Sequence, residues 1–156
     1  MHERQKLTEA RYFLERMFSE RGNHSAVSHE LSAFLAAARS VLQYALDEAK
    51  AKPGGQQWYD QAMADPLLRF FKDKRDTTIH REPVRPLRRF STRQAGFINV
   101  GDDEDEMSIP YPHEETVEHC EFQDRPGEDV YDVCRRCSEL LDKFVEDGVG
   151  GGWITG

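Results

Sequence analysis

The stretch Leu31-Ser32-Ala33-Phe34-Leu35-Ala36-Ala37-Ala38-Arg39-Ser40 decides the fold class. Extended on both sides, it sets Val27, Leu31, Phe34, Leu35, Ala38, Val41, Leu42, Ala45 and Leu46 at intervals that gather them on one stripe of an α-helix. On a strand the same residues would scatter over both faces. Ala33, Ala36, Ala37 and Ala38 remove side-chain bulk and would let a neighbouring helix approach closely. A long helix is therefore expected up to about Lys52, capped by Ser25 or Ser28 and stopped by Pro53-Gly54-Gly55.

Helical spacing continues on either side. Leu7, Ala10, Leu14, Met17 and Phe18 predict a first amphipathic helix ending near Arg21-Gly22-Asn23. Trp58, Tyr59, Ala62 and Met63 form a short segment, and Asp65-Pro66 then pairs an N-cap acid with proline at the first helical position. Leu67, Leu68, Phe71 and Ile79 supply the core face of that helix, and Pro83 and Pro86 end it.

The next 40 or so residues change character. Phe90 and Thr92, then Phe97, Ile98 and Val100, suit one or two short strands, and Gly101-Asp102-Asp103-Glu104-Asp105-Glu106 reads as an acidic turn. Helical period returns at Gly127-Glu128-Asp129 and runs through Val130, Val133, Cys134, Cys137, Leu140, Leu141, Phe144 and Val145 to Gly148. The tail, residues 149–156, is expected to be flexible unless Trp153 docks. The expected architecture is a single all-α domain over residues 1–156. Its up-and-down antiparallel bundle of four or five helices comes from residues 5–82 and 126–148, with a small β-hairpin or irregular insertion at 83–125.

Composition bounds the function classes. The chain has 156 residues, 38% of them hydrophobic and 32% charged, enough for one real core. It contains no apolar run of membrane-spanning length and no signal-like start, and its three cysteines, Cys120, Cys134 and Cys137, are too few for a disulfide scaffold. A cytoplasmic protein without membrane partners is expected. The net charge of −8 argues against a surface that grips nucleic acid everywhere, but residues 69–93 hold nine Lys/Arg against three acids. That segment would focus a phosphate-bearing ligand; a solvated helix face followed by a basic loop has the same composition.

Arg75-Asp76-Thr77-Thr78-Ile79-His80 carries the sharpest chemistry. His80 would serve as a base near neutral pH, and Arg75 offers permanently charged donors to a phosphorane. Asp76 precedes His80 by four residues and so shares its helical face, where it would orient the imidazole. Arg75 and His80, five residues apart, fall roughly 140° apart on a regular helix. Either the helix unwinds before Pro83 or two protomers contribute. In a purely structural role, Arg75 would pair with an acid on a neighbouring helix and His80 would sit at a helix C-terminus, where a cation is favourable.

The helical bundle and Arg75-Asp76-x-x-x-His80, together with Asp65-Pro66-Leu67-Leu68-Arg69-Phe70-Phe71-Lys72 and the quoted stretch at 31–40, resemble the HEPN superfamily (higher eukaryote and prokaryote nucleotide-binding domains). The likeness covers residues 5–82 and the last helix. It implies a homodimeric, metal-independent endoribonuclease or RNA-binding protein of a prokaryotic defence or toxin system, without a cofactor. Arg75, Asp76 and His80 would be catalytic; Lys72, Arg81, Arg85, Arg88 and Arg89 would hold RNA. The alternative is a non-catalytic bundle that binds a nucleotide or a protein such as an antitoxin or nucleotidyltransferase.

His113, His119, Cys120, Cys134 and Cys137 are metal-ligand types, and Cys134-x-x-Cys137 has a zinc-like spacing. Both helical cysteines fall on the apolar stripe of the last helix, however, and no second Cys-x-x-Cys is present. Buried thiols without metal are the expectation.

Overall fold

The computed structural model describes residues 2–80, 86–100 and 107–156, with side chains at 2–74, 86–90 and 118–156. The protein is mostly helical with a small antiparallel sheet, and it forms two compact units, Met1–Arg85 with Tyr131–Gly156, and Pro86–Val130.

The helical unit contains α1 (His2–Ser19), α2 (His24–Ala49), α3 (Gly55–Ala62), α4 (Pro66–His80) and α5 (Val130–Gly150). Contacts at both ends of α1 fix its direction against two neighbours. Arg16 donates from Nε to Glu30 Oε1 at 3.1 Å, while the His2 and Tyr44 rings lie 5.3 Å apart at the opposite end, so α1 and α2 run antiparallel. On α5 the partners of Arg4, Arg11 and Phe18 are Glu146, Asp142 and Tyr131 in that order, which makes α1 and α5 antiparallel too.

The stripe that predicts α2 is its buried face: Val27, Leu31, Phe34, Leu35, Ala38, Val41, Leu42 and Ala45 are all within the core. Phe34 meets Phe71 of α4 edge-on at 5.7 Å. The α5 stripe is equally buried, at Val130, Val133, Cys134, Cys137, Leu141, Phe144 and Val145. Asp65 caps α4 as its sequence requires, its Oδ1 accepting from the Leu67 and Leu68 amides at 2.8 and 3.1 Å.

The cap of α2 differs from expectation. Asn23, with φ −111° and ψ 91°, accepts from the Ala26 amide at 3.2 Å, and neither Ser25 nor Ser28 is the cap. The turn after α1 closes early, with the Asn23 amide donating to the Glu20 carbonyl at 2.7 Å, so the helix restarts before either serine can cap it. Between α2 and α3 the chain turns through Gly54 at φ 78°, and a Cβ on the next residue, Gly55, would collide with the Ala49 carbonyl oxygen.

The end of α5 also differs. The helix passes through Gly148 to Gly150, and residues 151–156 fold back on it: the Trp153 and Ile154 amides donate to the Gly148 carbonyl at 2.8 and 3.2 Å. Ile154 is buried, Thr155 Oγ1 donates to Glu48 Oε2 at 3.0 Å, and the Trp153 ring lies over Gly54. Trp153 therefore has a docking site, the condition under which a free tail was not expected.

The second unit is a three-stranded antiparallel sheet in the order β1 (Leu87–Val100), β2 (Met107–Phe122), β3 (Arg125–Asp129). Its hairpin is longer than the one or two short strands that the sequence suggests, with register from Leu87↔Glu121 to Val100↔Met107. The third strand replaces what reads as the first turn of the last helix. Gly127 takes φ 83°, which no helical turn accommodates, and the register skips from Phe122↔Arg125 to Glu121↔Asp129 around it. The helix starts afterwards, with Asp132 as the acid of its first turn.

Candidate functional site

The Arg75-Asp76-x-x-x-His80 motif lies on α4, whose backbone is helical through His80. The side chains of Arg75, Asp76 and His80 lie outside the described residues, as do Arg81 and Arg85. Continuous helix to residue 80 excludes unwinding before the histidine, so the Cα positions of Arg75 and His80 stand roughly 140° apart around one axis. Upstream on the same helix, Lys72 is half-buried, and Lys74 Nζ lies 5.6 Å from the centre of the Phe70 ring.

Arg88 and Arg89, at the start of β1, are exposed but paired. Arg88 donates through Nε and Nη2 to Glu118, the second bond at 2.8 Å, and Arg89 Nε lies 2.7 Å from Glu121 Oε2. Its hydrogen bonds to the Glu118 carboxylate hold the Arg88 guanidinium above its ordinary pKa. Strand register explains both pairs: Arg88 stands opposite Cys120 and Arg89 opposite His119, so each arginine reaches an acid two residues along β2, a diagonal neighbour on the same face. Composition counts these arginines as free charge, whereas in the sheet each is matched by a carboxylate 30 or so residues later.

Cys134 and Cys137 are free thiols, and both are wholly buried. Burial pushes the Cys137 thiol up, and the Asp65 carboxylate adds to the shift. The Cys137 sulfur is therefore held as the neutral thiol. Among the described residues no three His, Cys, Asp or Glu side chains converge as a metal site requires.

A cleft of about 170 Å³ opens among α3, α4 and α5, floored by Trp58, Leu68, Leu140 and Phe144 and edged by Asp65, Lys143 and Asp147. Its aromatic wall is formed by the Trp58 and Phe144 rings, stacked at 4.8 Å and 16°. Asp65 is engaged in capping α4, so of the three charged groups at the edge of this mainly apolar recess one is already committed. The apolar spacing of α5 foretells the floor, but the recess arises from three helices meeting and has no local signal.

Comparisons with protein-family models, with curated proteins and with solved structures return no match. Among the described residues no helix is long and apolar enough to cross a membrane.

Proposed function

We propose that this chain is a HEPN-like up-and-down helical bundle that acts on RNA as a homodimer, with Arg75, Asp76 and His80 forming a metal-independent cleavage site shared between two protomers. The observation that carries the reading is the unbroken α4 helix under the motif. With Arg75 and His80 on different sides of one helix, a single phosphate is reached most simply by the arginine of one chain and the histidine of the other. His80 takes the proton of the ribose 2′-hydroxyl, Arg75 stabilises the charge that develops on phosphorus, and Asp76 orients the imidazole. Lys72, Arg81 and Arg85 hold the strand electrostatically. Arg88 and Arg89 join them by exchanging a carboxylate partner for a phosphate.

A second reading draws on that exchange. Since Glu118 and Glu121 already neutralise Arg88 and Arg89, the described base of the hairpin has matched charges, which suits a protein partner such as an antitoxin or nucleotidyltransferase.

Incubation of the purified chain with single-stranded RNA in the presence of a chelator separates the two. The RNA reading expects cyclic 2′,3′-phosphate ends and untouched DNA. Arg75→Ala and His80→Ala should each lower the rate by roughly 100- to 10,000-fold without moving the melting temperature. Mixing the two inactive variants should restore part of the activity through one intact shared site. Intact RNA, or cleavage that persists in His80→Ala, removes the catalytic reading.

A further inference from the structure

Lys143 and Asp147 stand one turn apart on α5, at the edge of the cleft floored by Trp58, Leu68, Leu140 and Phe144. Both are exposed, and among the described residues neither side chain has an ion-pair or hydrogen-bond partner. Their neighbours on the same helix do: Asp142 holds Arg11, and Glu146 holds Arg4. The third charge at the edge, Asp65, is committed to the α4 amides.

The helix itself gains little from either charge. A lysine four residues ahead of an acid is the weaker order for a pair along a helix. An acid in the last turn lies at the negative end of the helix dipole, and α5 has no basic residue there to offset it. Asp147 is thus a carboxylate that the fold disfavours and leaves unmatched.

Between these charges the recess is apolar, and its size limits what can enter. At about 170 Å³ it is close to the roughly 150 Å³ void that takes up one benzene molecule. One aromatic ring or one branched aliphatic side chain therefore fills it, against the Trp58–Phe144 stack. Such a group also removes apolar surface of the half-buried Trp58 and Leu140 from water. A ligand that matches floor and rim together has an apolar body of that size and carries a cation and an anion side by side.

We propose that the cleft is a binding site for a free α-amino acid with an aromatic or branched apolar side chain. The side chain enters the recess, the α-ammonium donates to Asp147, and the α-carboxylate accepts from Lys143. Both bonds are charge-assisted. An amine without the carboxylate leaves Lys143 unmatched, and an acid without the ammonium leaves Asp147 beside a like charge. The assignment involves none of Arg75, Asp76 and His80, and it holds whether or not the chain cuts RNA.

Equilibrium dialysis of the full chain against labelled L-phenylalanine, with L-leucine as competitor, tests it. Saturable uptake at one site per chain is expected. Phenethylamine and phenylpropionate, each with one of the two charges, should compete at least about tenfold more weakly. Phenylalanine amide and N-acetylphenylalanine, which stand in for the two ends of a peptide, should be as weak as those; equal affinity for either would give the cleft to a peptide terminus and overturn the free amino acid. Asp147→Asn should weaken phenylalanine about tenfold without weakening phenylpropionate, and Lys143→Met should weaken phenylalanine as much without weakening phenethylamine. Ala62→Leu, which fills the recess from α3 and touches neither charge, should abolish uptake with the helical circular dichroism spectrum retained. Lys143 and Asp147 are exposed, so their variants keep the fold and decide the matter even if Ala62→Leu does not fold. No saturable uptake by the wild type overturns the proposal. So does uptake that neither charge variant weakens, or that a folded Ala62→Leu chain retains.

Discussion

The Trp58 ring occupies the space that a side chain on residue 148 would need: a Cβ built on Gly148 would lie 2.7 Å from Trp58 Cζ2. That glycine sits inside α5, one turn past Phe144, on which the Trp58 ring stacks, and Ile154 Cδ1 closes the same space at 2.8 Å. Gly148→Ala should therefore destabilise. The substitution gains about 1 kcal/mol of helix propensity, but overpacking against a rigid stacked ring costs about 1–3 kcal/mol. Thermal melting checks the balance, and a raised melting temperature would show that the ring yields.

Phe34 and Phe71 are almost wholly buried and touch edge to face. Truncating either to alanine should cost about 3–5 kcal/mol. Because the two rings share one contact, the double variant should lose less than the sum of the single losses. Denaturant titration of the three variants measures both numbers, and strict additivity would mean that the rings are energetically independent.

Glu48 ties the C-terminal segment to α2. Partial burial raises its pKa, but hydrogen bonds from the Thr155 backbone and hydroxyl and from Lys52 outweigh it, so the folded carboxyl lies below its ordinary value of 4.5. A depressed carboxyl contributes stability that is complete above the ordinary value and is lost as pH falls through the folded one. Protection of the Thr155 amide against hydrogen exchange should accordingly fall in acid below about pH 4.5. Glu48→Gln should show weaker protection at neutral pH and a flatter acid response. Identical profiles for the two proteins would remove Glu48 from the anchor.

Cys134 and Cys137 should resist thiol reagents in the native protein and react fully once it is unfolded, because both are wholly buried and the Cys137 thiol is pushed up by burial. Mass spectrometry after timed alkylation reads this out. Rapid native labelling at either position would mean that α5 opens readily from the helical unit.

What the sequence discloses follows from the range of the forces involved. The stripe from Val27 to Ala45 and the Asp65-Pro66 start are local patterns, and α2 and α4 form as they dictate. Asn23 outcompetes Ser25 and Ser28 through the Glu20 turn, a contest among near-equal caps that composition does not rank. Gly148 reads as a helix stop, yet its meaning comes from Trp58, 90 residues away. The charges of Arg88 and Arg89 are likewise cancelled by residues that become neighbours only through strand register. At the candidate site, the helical offset between Arg75 and His80 follows from their spacing on α4, and their side chains lie outside the described residues.

The pairing of α1 with α5 has a consequence for synthesis. Arg4 and Arg11 wait for Glu146 and Asp142, more than 130 residues downstream, and the whole β1–β2–β3 segment leaves the ribosome in between. One flank of α1, an amphipathic helix, thus stays wet until the chain is nearly finished. Long-range closure of this kind slows folding. During that interval the nascent helices have an incomplete core, and a chaperone, or the same element from a neighbouring chain on the same messenger, has its opportunity to cover it.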